Sequence, residues 1–149
     1  MTIQNAFDET AAYYDSWASK SLPAYDTLFS IAKSLPPFPD SQPIRVLDLG
    51  AGTGLFSQHM LGRYPHAHFT LVDTAAKMLE VAQNRFAAYP GQFTCCQADF
   101  RSMELDGQFD LAISSLAIHH LEDEEKAALF RQIHGLLRSP GVFVNVDQV

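Results

Sequence analysis

The sequence predicts an α/β fold built around a doubly wound, mostly parallel β-sheet. Short apolar segments alternate with amphipathic segments of helical length along most of the chain, as in βαβ units. The stretch Ile44–Leu55 joins an apolar strand pattern to a turn holding Gly50, Gly52 and Gly54, and a helical pattern follows at once. Such a unit presents backbone N–H groups at the carboxyl edge of a sheet, where nucleotide cofactors bind.

The chain of 149 residues is predicted to form one domain, with a helical cap over residues 1–40 and a core over residues 41–149. Two helices are expected in the cap, followed by a stiff proline-rich linker, Pro36–Asp40. Their apolar residues at helical spacing are Phe7, Ala11, Tyr14 and Ala18 in the first helix, and Tyr25, Leu28, Phe29 and Ala32 in the second.

The core pattern predicts five strands, over residues 44–49, 67–72, 92–97, 109–114 and 142–146. The first connecting helix runs to about Arg63, and the second runs from a cap at Thr74 to about Tyr89. The third covers residues 122–137, with acidic residues at its start and Arg138 at its end, as the helix dipole favours. Pro140-Gly141 is expected to stop this helix before the last strand.

The composition and charge argue against several classes of protein. With 47% hydrophobic and 18% charged residues, the chain is typical of an ordinary globular protein, and no apolar run or N-terminal pattern predicts a membrane span or signal peptide. A net charge of −7 argues against an electrostatically driven nucleic-acid surface. The adjacent Cys95 and Cys96 favour two reduced thiols in a cytoplasmic protein, with a vicinal disulfide as the rarer alternative.

Polar residues follow four successive predicted strands. The glycine turn ends the first strand, Asp73 the second, Asp99 the third, and Ser114 the fourth, with His119 and His120 shortly after. Asp73 is placed to accept hydrogen bonds from a ribose diol, and Asp99 from an exocyclic amine such as that of adenine. Each signal alone is weak, but four of them at one sheet edge predict an adenosine-containing ligand.

The glycine turn also distinguishes between cofactors. Dinucleotide folds show Gly-x-Gly-x-x-Gly, whereas this turn reads Gly-x-Gly-x-Gly and follows Asp48. An acid beside the turn suits a ligand end with an ammonium group better than a pyrophosphate. This predicts S-adenosylmethionine, and a nicotinamide-dependent oxidoreductase is the less favoured alternative.

Four segments then resemble the class I S-adenosylmethionine-dependent methyltransferases of the small-molecule type. Val46–Gly54 is similar to their first motif, and Leu71–Asp73 with Lys77–Leu79 to the second. Gln97–Phe100 is similar to the third, and Phe109–Leu111 through His119–Leu121 to the fourth. The resemblance implies a Rossmann-like sheet of order 3-2-1-4-5 with helices on both faces, S-adenosylmethionine as cofactor, S-adenosylhomocysteine as product, and a small-molecule methyl acceptor.

The resemblance also implies roles for individual residues. The methionine part of the cofactor would lie against the glycine loop near Asp48, the ribose on Asp73, and the adenine between side chains of the second and third motifs. His119 and His120 are the candidates for taking a proton from the acceptor, and no metal site is expected. The implied cofactor-binding residues are Tyr14, Asp48, Gly50, Ala51, Gly52, Asp73, Thr74, Met78, Asp99, Phe100 and Ser114.

The sequence departs from that family after the fifth strand, where a further helix and a β-hairpin are usual. We therefore expect either the N-terminal portion of a longer enzyme or a short form that binds the cofactor without turnover. The apolar fifth strand, with Val142, Phe143, Val144 and Val146, would then be an open sheet edge. This predicts a homodimer formed through that edge.

Overall fold

The computed structural model describes residues 25–105 and 108–147, and the first predicted cap helix, with Tyr14, lies outside that part. All strand pairs are parallel, in the order β3-β2-β1-β4-β5, which confirms the predicted sheet. In chain order the elements are α1 (Tyr25–Ser34), β1 (Arg45–Leu49), α2 (Leu55–Arg63), β2 (His68–Asp73), α3 (Ala76–Arg85), β3 (Phe93–Gln97), β4 (Phe109–Ser115), a 3-10 helix (Ile118–His120), α4 (Asp123–Leu136) and β5 (Leu137–Val146).

The sheet separates two apolar cores because successive strand side chains point to opposite faces. Val46 packs on one face with residues of α1, α2 and α3, and Leu47 packs on the other face with residues of α4. Cys95 and Cys96 follow the same alternation, and both are free thiols. Helices therefore cover both faces, as predicted. Within the described ranges, no helix is long and apolar enough to cross a bilayer.

Two predicted element boundaries were wrong. The helix expected to reach Tyr89 ends at Arg85, because the chain then turns and stacks the ring of Phe86 on that of Phe93, with ring centroids 3.8 Å apart. The last strand begins at Leu137, before the Pro140-Gly141 pair expected to precede it, since Leu137 already pairs with Phe109 of β4. A register irregularity between Phe109 and Leu111 absorbs the extra residues.

The connection from α1 to β1 packs against α2 and is held there by side-chain hydrogen bonds. Phe38 is buried, and the guanidinium of Arg63 in α2 donates hydrogen bonds to the carbonyls of Lys33 and Phe38, at 2.7 and 3.1 Å. Its Nε also pairs with Asp40 at 2.9 Å. One side chain thus holds the whole proline-rich segment against α2.

At the amino ends of the strands, Asp110 joins three neighbours in the sheet. The carboxylate is 8% exposed; its Oδ2 accepts the Arg45 N–H at 2.8 Å, and its Oδ1 pairs with Arg138 Nε at 2.9 Å. Because these residues belong to β4, β1 and β5, one carboxylate fixes the relative position of the three strands.

Candidate functional site

A cleft of about 550 Å³ opens at the carboxyl ends of the strands, within the size range of small-molecule sites. Its walls combine backbone from the glycine loop, acidic side chains from the ends of β2 and β3, and the segment after β4. The lining residues are Gly50, Gly52, Asp73, Thr74, Met78, Asp99, Phe100, Arg101, Ser115, Leu116, Ala117, His120 and Leu121.

The glycine loop after β1 requires glycine for two reasons. Gly50 and Gly52 have φ values of +67° and +58°, in the left-handed region. A Cβ on Gly50 would lie 2.6 Å from the Cβ of Ala117, across the cleft wall. The N–H groups of Gly50 and Ala51 both donate to the carbonyl of Val72. Ala51 therefore supports the loop through its backbone and does not line the cleft.

Asp73, at the end of β2, organises both the glycine loop and the start of α3. Its Oδ2 accepts the Gly52 N–H and its Oδ1 the Ala75 N–H, both at 2.8 Å. The predicted helix cap at Thr74 was wrong: the N-cap position is Ala75, and the Asp73 carboxylate bonds the backbone there. Thr74 lines the cleft, as does Asp73.

Asp48 is buried at 1% exposure and does not line the cleft. Its Oδ2 accepts a hydrogen bond from Ser57 Oγ at 2.7 Å, whereas Oδ1 has no hydrogen-bond partner among the described residues. Burial, and secondarily the nearby charge of Asp73, raise the pKa of the Asp48 carboxyl to about 7, against a lowering by Ser57. This acid therefore titrates near neutral pH.

Asp99 lies at the end of β3 and is paired with Arg101, a residue that no sequence motif indicates. Arg101 Nη2 approaches Asp99 Oδ2 at 2.6 Å, and Nη1 approaches Oε2 of Glu125 in α4 at 3.0 Å. The hydrogen bonds from the Arg101 side chain are the main cause that lowers the pKa of Asp99. Asp99, whose side chain is 32% exposed, is thus an ionised carboxylate at neutral pH.

The segment after β4 forms the opposite wall. Ser114 is fully buried and donates to the Leu49 carbonyl at 2.8 Å, whereas the next residue, Ser115, lines the cleft. Leu116 has φ +53°, an uncommon value for a residue with a Cβ, and its N–H donates to the Val146 carbonyl at 2.8 Å. A bond to β5 therefore holds this strained turn.

The two histidines have different surroundings. His119 turns away from the cleft: its backbone N–H donates to Asp147 Oδ2 at 2.8 Å, and its ring Nδ1 lies 2.6 Å from Asp147 Oδ1. His120 lines the cleft, and its ring lies against that of His119 with centroids 3.9 Å apart. Of the two histidines, His120 is therefore the one that lines the cleft.

The structure brings most of the predicted site residues into one cleft. Asp48, Ala51, Ser114 and His119 do not line it, and Tyr14 is outside the described residues. The alternation of side chains along β4 could have identified Ser115 in place of Ser114. Nothing in the sequence pattern marks Arg101. The predicted residues that line the cleft are Gly50, Gly52, Asp73, Thr74, Met78, Asp99, Phe100 and His120.

These residues fit S-adenosylmethionine. The glycine loop presents left-handed backbone to the cleft at Gly50 and Gly52, where a ligand can lie against it, and the acceptors Asp73 and Asp99 flank it on one side. The unpartnered Oδ1 of the buried Asp48 suits a cationic ligand group nearby. Among the described residues, no group of three or more His, Cys, Asp or Glu side chains is arranged to hold a metal ion.

Comparisons with known proteins identify relatives of this chain. The chain is 31% identical to a malonyl-[acyl-carrier protein] O-methyltransferase of Geobacter sulfurreducens, over 95% of this chain and 51% of that protein. It is 35% identical to the enzyme of that name from Halorhodospira halophila, over 81% and 40% of the two chains. The chain thus spans about half the length of these relatives, or less.

A solved structure shares the fold. The N-methyltransferase NodS from Bradyrhizobium japonicum, crystallised with S-adenosyl-L-homocysteine, superposes with a TM-score of 0.78 at 19% identity, over 95% of this chain and 70% of that one. The family model described as a methyltransferase domain matches residues 46–141. The chain belongs to the methyltransferase domain family.

Proposed function

We propose that this chain is the cofactor-binding domain of an S-adenosylmethionine-dependent methyltransferase that acts on a small-molecule acceptor. One observation carries the proposal: the Asp73 carboxylate accepts the Gly52 N–H at 2.8 Å while lining the cleft beside the left-handed glycine loop. The hydrogen bond places a carboxylate that can accept from a ribose diol next to a glycine backbone that a ligand can approach closely.

The remaining roles follow the order of residues around the cleft. Asp73 binds the ribose hydroxyls, Thr74 and Met78 flank the adenine, and Asp99 with Phe100 binds its amine and ring edge. The methionine part lies against Gly50 and Gly52, the Ala51 backbone supports that loop, and Asp48 lies behind the loop on the side of the ammonium group. Ser115, which lines the cleft, is better placed than Ser114 for the amino-acid end. For Tyr14, outside the described residues, we keep the closing role that the resemblance implies.

When bound, S-adenosylmethionine supplies a methyl group that its sulfonium activates toward an electron pair on the acceptor. The protein aligns that acceptor, excludes water and, for a neutral oxygen or nitrogen, takes a proton. We propose that His120 takes the proton, with His119 packed behind it. An acceptor that is already a carboxylate needs no such step.

The names of the curated relatives support an acyl group with a free carboxylate as the first acceptor to test. With an ionised acceptor oxygen, His120→Ala should retain turnover within about threefold. With a neutral amine or alcohol, the variant should lose about 100-fold, in keeping with typical contributions of general bases. Equal retention on both kinds of acceptor would remove His120 from the mechanism.

Titration calorimetry with S-adenosylhomocysteine and with NAD tests the cofactor. We expect micromolar binding of the former and no heat with the latter. Asp73→Asn should weaken S-adenosylhomocysteine at least about tenfold, because hydrogen bonds to a charged acceptor contribute roughly 1.5–3 kcal/mol. Glu80→Gln, at an exposed position of α3, is the matched control and should change nothing. Binding of NAD alone would indicate an oxidoreductase instead.

A binding module without turnover is the second candidate; the chain matches 40–51% of the length of its first seven curated relatives. Assaying S-adenosylhomocysteine release with carboxylate, amine and alcohol acceptors separates the two. If the cofactor binds but no S-adenosylhomocysteine is released with any of these acceptors, carrier-linked malonyl groups included, the protein is a binding module.

We further propose that the protein forms a homodimer and that it works in the cytoplasm. Strand β5 is an edge of the five described strands, and Val142, Phe143 and Val146 on it are only partly buried. The two free thiols favour a reducing compartment. Sedimentation velocity should show a dimer whose fraction grows with concentration; a single monomeric species at high concentration would contradict it.

A further inference from the structure

We propose that Arg101 sets the base specificity of the cleft, by holding the Asp99 carboxylate in the orientation that accepts the exocyclic amine of adenine. The inference rests on the proposed function, since it assumes that Asp99 faces the base of an adenosyl cofactor. Arg101 acts through Asp99 and is therefore a positioning residue.

Arg101 holds both carboxylate oxygens of Asp99. Its Nε lies 3.0 Å from each oxygen, its Nη2 lies 2.6 Å from Oδ2, and its backbone N–H donates to Oδ1 at 2.8 Å. A guanidinium engaged in this way opposes rotation of the carboxylate about its terminal torsion, which is otherwise broad. The lone pairs that remain on Asp99 therefore point in a fixed direction.

The guanidinium is itself anchored on its other side. Arg101 Nη1 donates to Glu125 Oε2 at 3.0 Å, and Glu125 Oε1 accepts the Glu122 N–H at the start of α4, also at 3.0 Å. Arg101 thus spans from the end of β3 to the first turn of α4. Because it has partners on both sides, it cannot swing away from Asp99 without losing the second contact.

The charges exclude a simpler explanation, in which Arg101 binds an anion on the ligand. Asp99 and Glu125 together carry one negative charge more than Arg101 neutralises, so the group does not attract anions. Arg101 is 52% exposed, and exposed ion pairs contribute little to stability. Since the Arg101 contacts neither attract an anion nor add much stability, we assign them the role of fixing the orientation of Asp99.

An ionised carboxylate only accepts hydrogen bonds, so it discriminates between bases at one position. Adenine presents an amine there, which donates, whereas hypoxanthine presents a carbonyl oxygen, which faces the carboxylate without a hydrogen bond. A freely rotating Asp99 would turn its charge toward solvent and discriminate less. The orientation that Arg101 enforces makes the difference between these two bases large.

The test compares S-adenosylhomocysteine with S-inosylhomocysteine, whose base has a carbonyl in place of the amine and a hydrogen on the adjacent ring nitrogen, by titration calorimetry on the full chain. The wild type should prefer the adenosyl ligand at least about tenfold, on the basis of one charged hydrogen bond. Arg101→Gln should reduce that preference at least about fivefold, mainly by weakening the adenosyl ligand. Arg101→Lys, which keeps the charge without the fork, should restore part of it.

Two further variants separate orientation from stability. Glu125→Gln retains an oxygen for the Glu122 N–H and loses only the charge that anchors Arg101, so it should reduce the preference less than Arg101→Gln. Arg131→Gln, at an exposed position of α4, is the matched control and should leave both affinities unchanged. Melting temperatures report whether any variant has lost its fold.

The outcomes are distinct. If Arg101→Gln weakens both ligands equally, or leaves both unchanged, its role in specificity is refuted while the cofactor assignment stands. If Asp99→Asn retains the wild-type preference, Asp99 does not read the base and the inference also fails. Absence of S-adenosylhomocysteine binding to the wild type would instead refute the proposed function.

Discussion

The two walls of the cleft are built in different ways. On the wall at the ends of β2 and β3, each acid bonds to a residue two positions away, Asp73 to Ala75 and Asp99 to Arg101, and Asp73 also accepts the Gly52 N–H, 21 positions away. On the wall after β4, Ser114 bonds to Leu49, 65 positions away, and His119 to Asp147, 28 positions away. The first wall is thus largely local in the chain, whereas these contacts of the second depend on the assembled sheet.

The two walls therefore differ in how far a sequence pattern can predict them. The first wall follows from strand ends and turn residues, which a sequence pattern reveals. The second follows from the pairing of β4 with β1 and β5, which a pattern reveals only once the strand order is known. Three variants test this difference: one acts on both walls, one on the acid behind the glycine loop, and one on the second wall alone.

The largest effect is expected where the walls meet. Gly50→Ala puts a Cβ at φ +67° and 2.6 Å from the Cβ of Ala117, so the glycine loop and the second wall must move apart. The affinity for S-adenosylhomocysteine should fall at least about 100-fold by calorimetry. Gly62→Ala in α2, where an added Cβ meets nothing within 4 Å, is the matched control and should bind normally. Normal binding by Gly50→Ala would contradict the close approach.

Asp48 should make stability depend on pH. The folded carboxyl has a pKa of about 7, above the 3.8 that is ordinary for an aspartate, so the folded state binds its proton more tightly. Its contribution to the free energy of unfolding is therefore complete below about pH 4 and is lost as pH rises toward 7, by at most about 4 kcal/mol.

Asp48→Asn should remove this dependence, because an amide does not titrate. Urea unfolding at pH 5, 6, 7 and 8 should show the wild type losing stability relative to the variant as pH rises. The difference between the two curves isolates Asp48 from all other titrating groups. Parallel curves would mean that the carboxyl is already ionised across this range.

Asp147→Ala tests the second wall alone and should have the smallest effect on cofactor binding, under about twofold. An ionised Asp147 only accepts, so the Nδ1 of His119 must carry the hydrogen in the neutral ring. Without Asp147, the ring should shift toward the tautomer with hydrogen on Nε2, as nitrogen-detected NMR of the imidazole would show. An unchanged tautomer would contradict the pairing, and a large loss of affinity would contradict the independence of the walls.

Most of the fold was predictable from the sequence because its signals are local. Glycine spacing, apolar strand segments and acidic residues at a helix start indicated each element and its type. The errors arose where a distant contact overrode the local pattern. Stacking of Phe86 on Phe93 ends α3 early, and pairing of Leu137 with Phe109 extends β5 past the pair Pro140-Gly141.

The site was predictable to a similar extent and for the same reason. Residues at strand ends, such as Asp73 and Asp99, were identified, whereas the choice between Ser114 and Ser115 depends on which face of β4 each side chain takes. The partner Asp147 could not be identified, since it meets His119 only through the β4–β5 pairing. Arg101 contacts a residue two positions away, but a surface arginine at that spacing is too common to single out.

The carboxylate of Asp110 joins β1, β4 and β5 at the ends of the strands opposite the cleft. Its charge therefore maintains the sheet where no ligand binds, while the charges of Asp73 and Asp99 serve recognition at the other end. Such a division lets a lineage change its acceptor by substituting residues at one rim while the other rim continues to hold the strands in register. We expect the strand ends at the cleft to tolerate substitution better than the strand ends around Asp110. This difference should exceed the difference between the interior and the surface of the domain.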